Sequence, residues 1–355
     1  MIPNHQIISL TSAKGVGPRR IRAVLREFKH IDDISKLSIT DLLQVKGISR
    51  DIASSIKNIN YQFGIDTLEN VDKLNGKYIS YWDDEYPQLL QTIYDAPVGL
   101  FVLGEIPKLN AIGIVGTRTP TAYGRKISEK FSRELVQNGF MIASGMARGI
   151  DSISHHTAMK MGGKTIAVLG CGIDICYPPE NNKLRELIIE NGAIVSEYIP
   201  GTKPDAINFP KRNRIISGLS LGSLVVEAGN KSGAVITALN ALDQNREVFV
   251  VPGRIDSKES IGCHRLIQQG AKLVTKIEDI LEELNINKSN QQIELLPDLS
   301  PEEKVVYDQL SNEPIQIDDL CKKMEKDSPE ILSILLLLEL KNVIIQHPGK
   351  KFTKS

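Results

Sequence analysis

Two short stretches of this chain combine residue types that bind anions. An apolar run, Ile112 to Val115, stops at Gly116-Thr117-Arg118, and apolar residues then recur at helical spacing from Gly124. Further on, Phe209-Pro210-Lys211-Arg212-Asn213-Arg214 is the densest basic run, with no acid between Asp205 and Glu227. Arginine donates a planar fork of hydrogen bonds that matches phosphate, and backbone N–H groups at a helix start favour the same ligand. Cations interleaved with an aromatic suit a single nucleic-acid strand: charge follows the backbone and the ring takes a base. Each stretch also has a plainer reading, Arg118 as a surface arginine on a turn and the basic run as a solvated turn.

More loops of small residues and cations follow apolar runs. Ser144-Gly145 comes after Phe140 to Ala143, and Glu227-Ala228-Gly229-Asn230-Lys231-Ser232-Gly233 comes after Ser223 to Val226. Pro252-Gly253-Arg254 follows Glu247 to Val251, and Gly262 and Gly270-Ala271 bracket His264 and Arg265. The basic run itself leads into Ile215-Ile216-Ser217-Gly218-Leu219. Several such loops at one sheet edge would fit an extended anionic ligand. A dinucleotide site is disfavoured, because Gly113 and Gly116 are spaced GxxG and no carboxylate closes the next strand. The phosphate loop GxxxxGK[ST] is absent. His155 and His156 are adjacent and diverge by about 100° on a helix, so they do not chelate one metal. Asp151 reads as a helix N-cap. No Ser/His/Asp set or convincing carboxylate pair points to hydrolysis, and no cofactor or metal is expected.

The elements that must position these loops alternate. Strand, glycine loop, helix closed by Asn138-Gly139, and strand form a βαβ unit over 112–151, so the sheet should be parallel. Further strands are expected at Thr165 to Leu169, Ala193 to Ser196, Ser223 to Val226, Glu247 to Val251 and Lys272 to Val274. Helices are expected from Pro179, Asn213, Ala234 and Glu259. That pattern is a doubly wound α/β domain, whose ligand would lie at the carboxyl ends of the strands, where Arg118 and Ser144-Gly145 meet.

Composition adds bounds. The 355 residues allow two or three domains, and 41% hydrophobic content supports a substantial core. Lys plus Arg balance Asp plus Glu at 43 each, so net charge by itself points to no partner. Residues 1–75 carry eleven basic against eight acidic residues, and 297–355 carry eight against eleven. No apolar run approaches the length of a membrane span and no signal peptide is read. Cys171, Cys176, Cys263 and Cys321 have no CxxC spacing, which argues against a zinc site and for reduced thiols in the cytoplasm.

Residues 1–75 contain a repeat. Lys14-Gly15-Val16-Gly17 and, thirty-two residues on, Lys46-Gly47-Ile48-Ser49 each precede a helical run. They resemble the helix-hairpin-helix family, whose hairpin N–H groups meet a DNA phosphate, so Gly15, Gly17 and Gly47 are candidate phosphate contacts. Ser49 in place of a glycine makes the second hairpin the more doubtful binder, and a helical packing module that touches no DNA is the alternative. Residues 76–110, with Tyr81, Trp82, Tyr86 and Tyr94, read as an ordered covering segment whose aromatics belong to the core. Asn285 to Leu295 reads as a linker. Pro301 to Leu310, Ile317 to Met324 and Pro329 to Leu340 read as helices and Val343 to Phe352 as a hairpin, together a winged helix. The Pro329 to Leu340 segment has Glu330 and Glu339, six leucines and no cation, and Asp318, Asp319 and Glu325 oppose Lys322 and Lys323 next to it. Such a surface suits a protein contact better than DNA.

The segments GTRTPTAYG, SGMARGID, TIAVLGCGIDICYPPEN, FPKRNRIISGLS and VVEAGNKSGAVITA, with VPG and Gly262 to Ala271, resemble the DprA/Smf family in order across Ile112 to Leu284. The resemblance implies an extended Rossmann-like, doubly wound core over 76–287 with a helix-hairpin-helix module (1–75) before it and a winged-helix domain (296–355) after it. It implies a cytoplasmic, non-enzymatic protein that binds single-stranded DNA, protects incoming strands and loads the RecA recombinase during natural transformation. A homodimer through the Rossmann-like domain is part of that expectation. The family's DNA pocket falls on Gly116, Thr117 and Arg118 and on Phe209 to Arg214. We extend the expected site to Ser144, Gly145, Ser217, Gly218, Ser232 and Gly233. The alternative resemblance is to nucleotide phosphoribohydrolases with PGGxGTxxE. The nearest stretch here, EAGNKSGAVITA, lacks the glutamate after the Gly-x-Gly turn. A third reading, a double-strand repair factor, rests on the hairpin module alone.

Overall fold

The computed structural model describes residues 2–28, 30–286, 300–310, 315–324, 326–341, 343–347 and 349–354. It divides into two compact units, Met1–Asn287 and Lys288–Ser355. Most of the expected 285–295 linker, and Glu325, lie outside the described residues.

The first unit is built on a nine-stranded sheet. In chain order its strands are β1 (Gly76–Ser80), β2 (Gly99–Gly104), β3 (Ala111–Val115), β4 (Met141–Ser144), β5 (Thr165–Val168), β6 (Gly192–Ser196), β7 (Ser220–Val225), β8 (Glu247–Val250) and β9 (Lys272–Leu273). The spatial order is β1-β2-β6-β5-β4-β3-β7-β8-β9. The seven strands from β6 to β9 pair in parallel, and β1 and β2 close one edge antiparallel. The central apolar runs, β3 to β6, form strands because both faces are covered, so successive residues feed two cores. Ala111 and Val115 pack with helices Asn208–Gly218 and Gly233–Asp243, whereas Ile112 and Ile114 pack with Phe131, Leu135 and Ile150 of the opposite layer. The chain leaves β3 toward β4, β5 and β6, then returns to β7 on the other side of β3. That reversal is the topological switch point, where ligands of open α/β sheets sit beyond the strands' carboxyl ends.

Three sequence expectations change. Strands β1 and β2 were not expected within the covering segment, although Leu100 to Leu103 are buried core residues. Of that segment's aromatics, Tyr86 is buried, but Tyr94 is 71% exposed and is no core residue. The basic run is no turn: helix Asn208–Gly218 begins before it and contains all of it.

The N-terminal helices Asn4–Thr11, Pro18–Glu27, Ile39–Gln44 and Arg50–Lys57 pack around their own apolar centre, which reaches the sheet edge at Val98, whereas helix Tyr61–Lys73 packs through Phe63, Leu68 and Val71 with Phe101 and Leu103 of β2. Both hairpins turn through a left-handed glycine, Gly15 (φ +78) and Gly47 (φ +89). The position occupied by Gly17 and, in the repeat, Ser49 is extended in both copies and is the N-cap of the next helix. Serine is therefore tolerated there, but its hydroxyl accepts from Ile52 N–H (3.4 Å), whereas the Gly17 end has no side-chain cap.

The second unit has helices Pro301–Asp308, Ile317–Met324 and Ser328–Leu340 and a three-stranded sheet of β10 (Ile315–Gln316), β11 (Ile344–His347) and β12 (Lys351–Lys354). The expected hairpin is β11 and β12. The added strand β10 pairs with β12, as a winged helix requires to tie its wing to its helices. Ile331, Leu335 and Leu338 of the last helix fill the core, and Leu336 and Leu337 are exposed.

Candidate nucleic-acid interface

A cleft of 750 Å³ opens at the switch point. The carboxyl end of β3 supplies Gly116, Thr117 and Arg118; the loop after β7 supplies Ser232 and Gly233; and helix Asn208–Gly218 supplies Phe209, Arg212 and Asn213. The β3 loop is held from both sides. Thr117 N–H donates to Glu227 O (2.8 Å), and Ile150 N–H donates to Thr117 O (3.2 Å). Arg118 is left exposed above this fixed backbone, with no ion pair among the described residues. Its guanidinium carbon lies 5.8 Å from the centroid of Phe209. Phe209 faces Tyr177, with ring centroids 5.4 Å apart at 32°. Two helix N-termini open on the cleft, at Phe209 and at Gly233, so their helix dipoles add positive potential. Ser232 is the N-cap of the second and accepts from Ala234 N–H (3.3 Å). Asn213 locks the two helices together by donating to Gly233 O (3.1 Å).

The three cations of the basic run do not share one site. Arg212 is 4% exposed, and its guanidinium donates to Gly145 O (2.8 Å) and to Val168 O. Burial pushes its pKa down to about 10, still charged at neutral pH, with the Asp151 carboxylate opposing the shift. Asp151 is not an N-cap. Gly149 holds that position, and Asp151 reaches back to accept from Gly145 N–H (3.1 Å) and Ala147 N–H (3.4 Å). Burial raises its pKa and Arg212 counters. Gly145 is thus clamped at both ends of its peptide, and a Cβ there would stand 2.5 Å from the Arg212 guanidinium. Arg212 and Asp151 hold the β4 and β5 ends beneath the cleft floor. Arg214 points elsewhere, to Glu197 (2.5 Å) and Asp95 (3.0 Å). Lys211 is exposed on the opposite flank of the helix, in a neighbouring cleft.

Other expected site residues are structural. Ser144 Oγ donates to Ile114 O (2.6 Å) and is buried, and Ser217 Oγ donates to Asn213 O (3.3 Å) within its own helix. Gly218 is packed under Leu90 and Ile93, so a Cβ there would meet Leu90 at 2.8 Å. Gly17 and Gly47 line the neighbouring cleft and Gly15 a third one, so none of the hairpin glycines reaches the switch point. The structure adds Tyr177 and Lys231 to the cleft, residues that the expected site left out although YPP and GNKSG were read as motifs. Among the described residues no group of three or more His, Cys, Asp or Glu could hold a metal ion, and no helix is long and apolar enough to cross a membrane. Glu227 is buried against Thr121, accepting from its N–H (3.0 Å) and Oγ1 (2.5 Å) at the start of helix Ala122–Gln137.

Comparison with known proteins agrees with this architecture. The family described as DNA recombination-mediator protein A matches residues 77–285. The chain belongs to the DprA/Smf family. A DprA winged helix domain matches residues 293–350 and a SAM-like helix-hairpin-helix tandem residues 7–58, so the chain carries both flanking modules around the DprA core. The chain is 33% identical to Protein Smf of Synechocystis over 98% of both chains. It is 40% identical to the DNA processing protein DprA of Streptococcus pneumoniae, over 79% of this chain and 98% of that one. The X-ray structure of that S. pneumoniae protein superposes with a TM-score of 0.71 at 38% identity, over 79% of this chain and 98% of its own. A DNA processing protein A from Helicobacter pylori, whose structure is described as giving insight into its single-stranded DNA binding mode, matches at 31% identity and TM-score 0.53, over 59% of this chain and 96% of that one.

Proposed function

We propose that this DprA/Smf protein binds single-stranded DNA in the switch-point cleft, protects incoming strands and delivers them to the RecA recombinase during natural transformation. The observation that carries the reading is Arg118, an exposed guanidinium on a rigid loop, set beside the Phe209 and Tyr177 rings and two helix N-termini. Charge and donors take phosphates without reading sequence, and the rings take bases. The single-stranded DNA named for the H. pylori relative supports the same ligand. In this reading the protein works without catalysis, in the cytoplasm and as a homodimer through its Rossmann-like domain. The chain divides functionally at 1–75, 76–287 and 296–355. Glu227 supports the non-enzymatic reading, because it is buried and each of its oxygens already accepts a hydrogen bond from Thr121, a capping role rather than a catalytic one.

The test is fluorescence anisotropy with labelled single- and double-stranded oligonucleotides at about 50 and 200 mM salt, beside assays for ATP and nucleoside-monophosphate hydrolysis. Strand-selective binding that falls steeply with salt, and no turnover, are expected. Equal affinity for duplex would count against the cleft as a strand site, and turnover lost in Glu227→Gln would establish an enzyme.

A further inference from the structure

A further cavity of this unit, 790 Å³, lies between the hairpin module and the β1–β2 edge of the sheet. It shares no lining residue with the switch-point cleft, yet one helix walls both. Asn208–Gly218 turns Phe209, Arg212 and Asn213 to the switch point and Lys211 and Arg214 to this second cleft. Five cations line it, Arg19, Arg20, Lys46, Lys211 and Arg214, against two carboxylates, Asp95 and Glu197. Both carboxylates are spent on Arg214. Even so, one buried nitrogen of that guanidinium, Nη1, has no protein partner. Arg20 donates to Gly15 O (2.7 Å) and Gly47 O (3.1 Å), which orients it and staples the hairpins without neutralising its charge. Lys46 and Lys211 are exposed and make no ion pair among the described residues, and Arg19 lies 3.9 Å over the Tyr94 ring.

The opposite wall is apolar and aromatic. Tyr78 lies across Gly99, where a Cβ would collide with the phenol ring, and its ring centroid is 5.0 Å from that of Phe101. Tyr198 borders the same space, and its hydroxyl donates to Asn208 O (3.4 Å) at the first turn of the shared helix. The cleft combines cations with flat apolar surface, the two features a phosphodiester strand with bases demands. The volume falls within the range of small-ligand sites and exceeds what a lone anion requires.

We propose that this hairpin–sheet cleft is a second site for single-stranded DNA, taking the strand that leaves the switch-point cleft across helix Asn208–Gly218. The proposal rests on the strand-binding reading above and extends it to a longer track. Phosphates cross Lys211 and continue along Lys46 and Arg19 while bases lie against Tyr78 and Tyr198. The uncapped end of helix Pro18–Glu27, at Gly17, faces the same space.

The experiment uses the full chain and the double variant Arg19→Glu/Lys46→Glu, both exposed positions, with thermal unfolding as the folding control. Anisotropy is read with oligothymidylates of about six nucleotides, within what one binding module covers, and about twenty. The double variant should weaken the long strand by about tenfold, lower its salt slope by about two, and leave the short strand within about twofold. Arg118→Ala should weaken both. An equal loss for both lengths, or no loss for either, overturns the second site. So does a loss confined to duplex, and so does a mononucleotide that occupies the cleft without being displaced by the long strand. If the switch-point reading alone is wrong, Arg118→Ala binds both lengths like the parent while the long-strand loss persists.

Discussion

Arg118 and Arg212 both line the switch-point cleft, and their removal should have different consequences. Arg118 is exposed and supports nothing else in the fold. Arg118→Ala should weaken single-strand binding by about 1–3 kcal/mol, the scale of a charge-assisted hydrogen bond, and leave the urea midpoint unchanged. Arg212 satisfies Gly145 O and Val168 O and faces the Asp151 carboxylate. Arg212→Ala should destabilise the protein by about 3 kcal/mol or more, because it leaves a buried acid without its counter-charge and takes a donor from two carbonyls; an unaltered urea midpoint would refute this. His155 makes a third residue-level case. Thr165 spends its hydroxyl proton on Ile142 O (2.8 Å), so the His155 Nδ1 facing Thr165 Oγ1 (2.6 Å) must carry its own. Nε2 is then a buried acceptor with no partner, and a proton placed there would be an unpaired buried charge. Burial accordingly pushes this pKa down to about 3, from an ordinary 6.5. The unfolded state binds the extra proton between those values, so stability is full above pH 6.5 and falls as pH drops toward 3. The expected loss is about 1.4 kcal/mol per pH unit from this group. Urea titrations from pH 7 to about 4 should show that slope in the parent and lose it in His155→Gln.

At the scale of elements, the start of helix Ala122–Gln137 depends on a residue more than a hundred positions away. Thr121 caps the helix by accepting from Gly124 N–H (3.1 Å), and Glu227 in turn takes both the Thr121 N–H and its hydroxyl proton. An amide at 227 has one acceptor oxygen for two donors. Glu227→Gln should therefore cost about 1–3 kcal/mol in stability, measurable by chemical denaturation, with no effect on any turnover. In sequence the helical pattern was read from Gly124, and the Thr121 cap was not singled out. Nor was its carboxylate partner, because GxxG spacing and loop chemistry say nothing about which distant strand end will stand beside them. The β1–β2 edge was overlooked for a different reason. Leu100 to Leu103 form an apolar run bounded by glycines, but the prolines and aromatics around it pointed to an ordered covering segment rather than to strands of the sheet.

Across the whole molecule, the winged-helix unit should contribute little to strand affinity. Its last helix, Ser328–Leu340, has no Lys or Arg, exposes Leu336 and Leu337, and carries Glu330, which is paired with Lys326. A recognition helix that enters a groove is steered by cations, and this one would be repelled. Truncation after residue 287 should leave single-strand affinity within about threefold, roughly 0.7 kcal/mol, by anisotropy. Loss of binding by a truncated protein that remains folded would make this unit a DNA module.

The doubly wound core was determined locally, because β3 to β6 are short runs buried on both faces and helical patterns alternate with them. The hairpin repeat was legible for the same reason: Gly15 and Gly47 mark left-handed turns in whatever fold contains them. That loops of glycine and cation would gather at one sheet edge also follows, since parallel strands place all their carboxyl ends together. Only the tertiary structure decided which cations face a ligand. Lys211, Arg212 and Arg214 are one run in sequence, but a helix turns each successive side chain by about 100°. The three therefore meet a second cleft, the ends of β4 and β5, and the acids Asp95 and Glu197. Those partners lie up to about a hundred and twenty residues away in sequence, and the long-range packing that brings them there leaves no spacing pattern within the run itself.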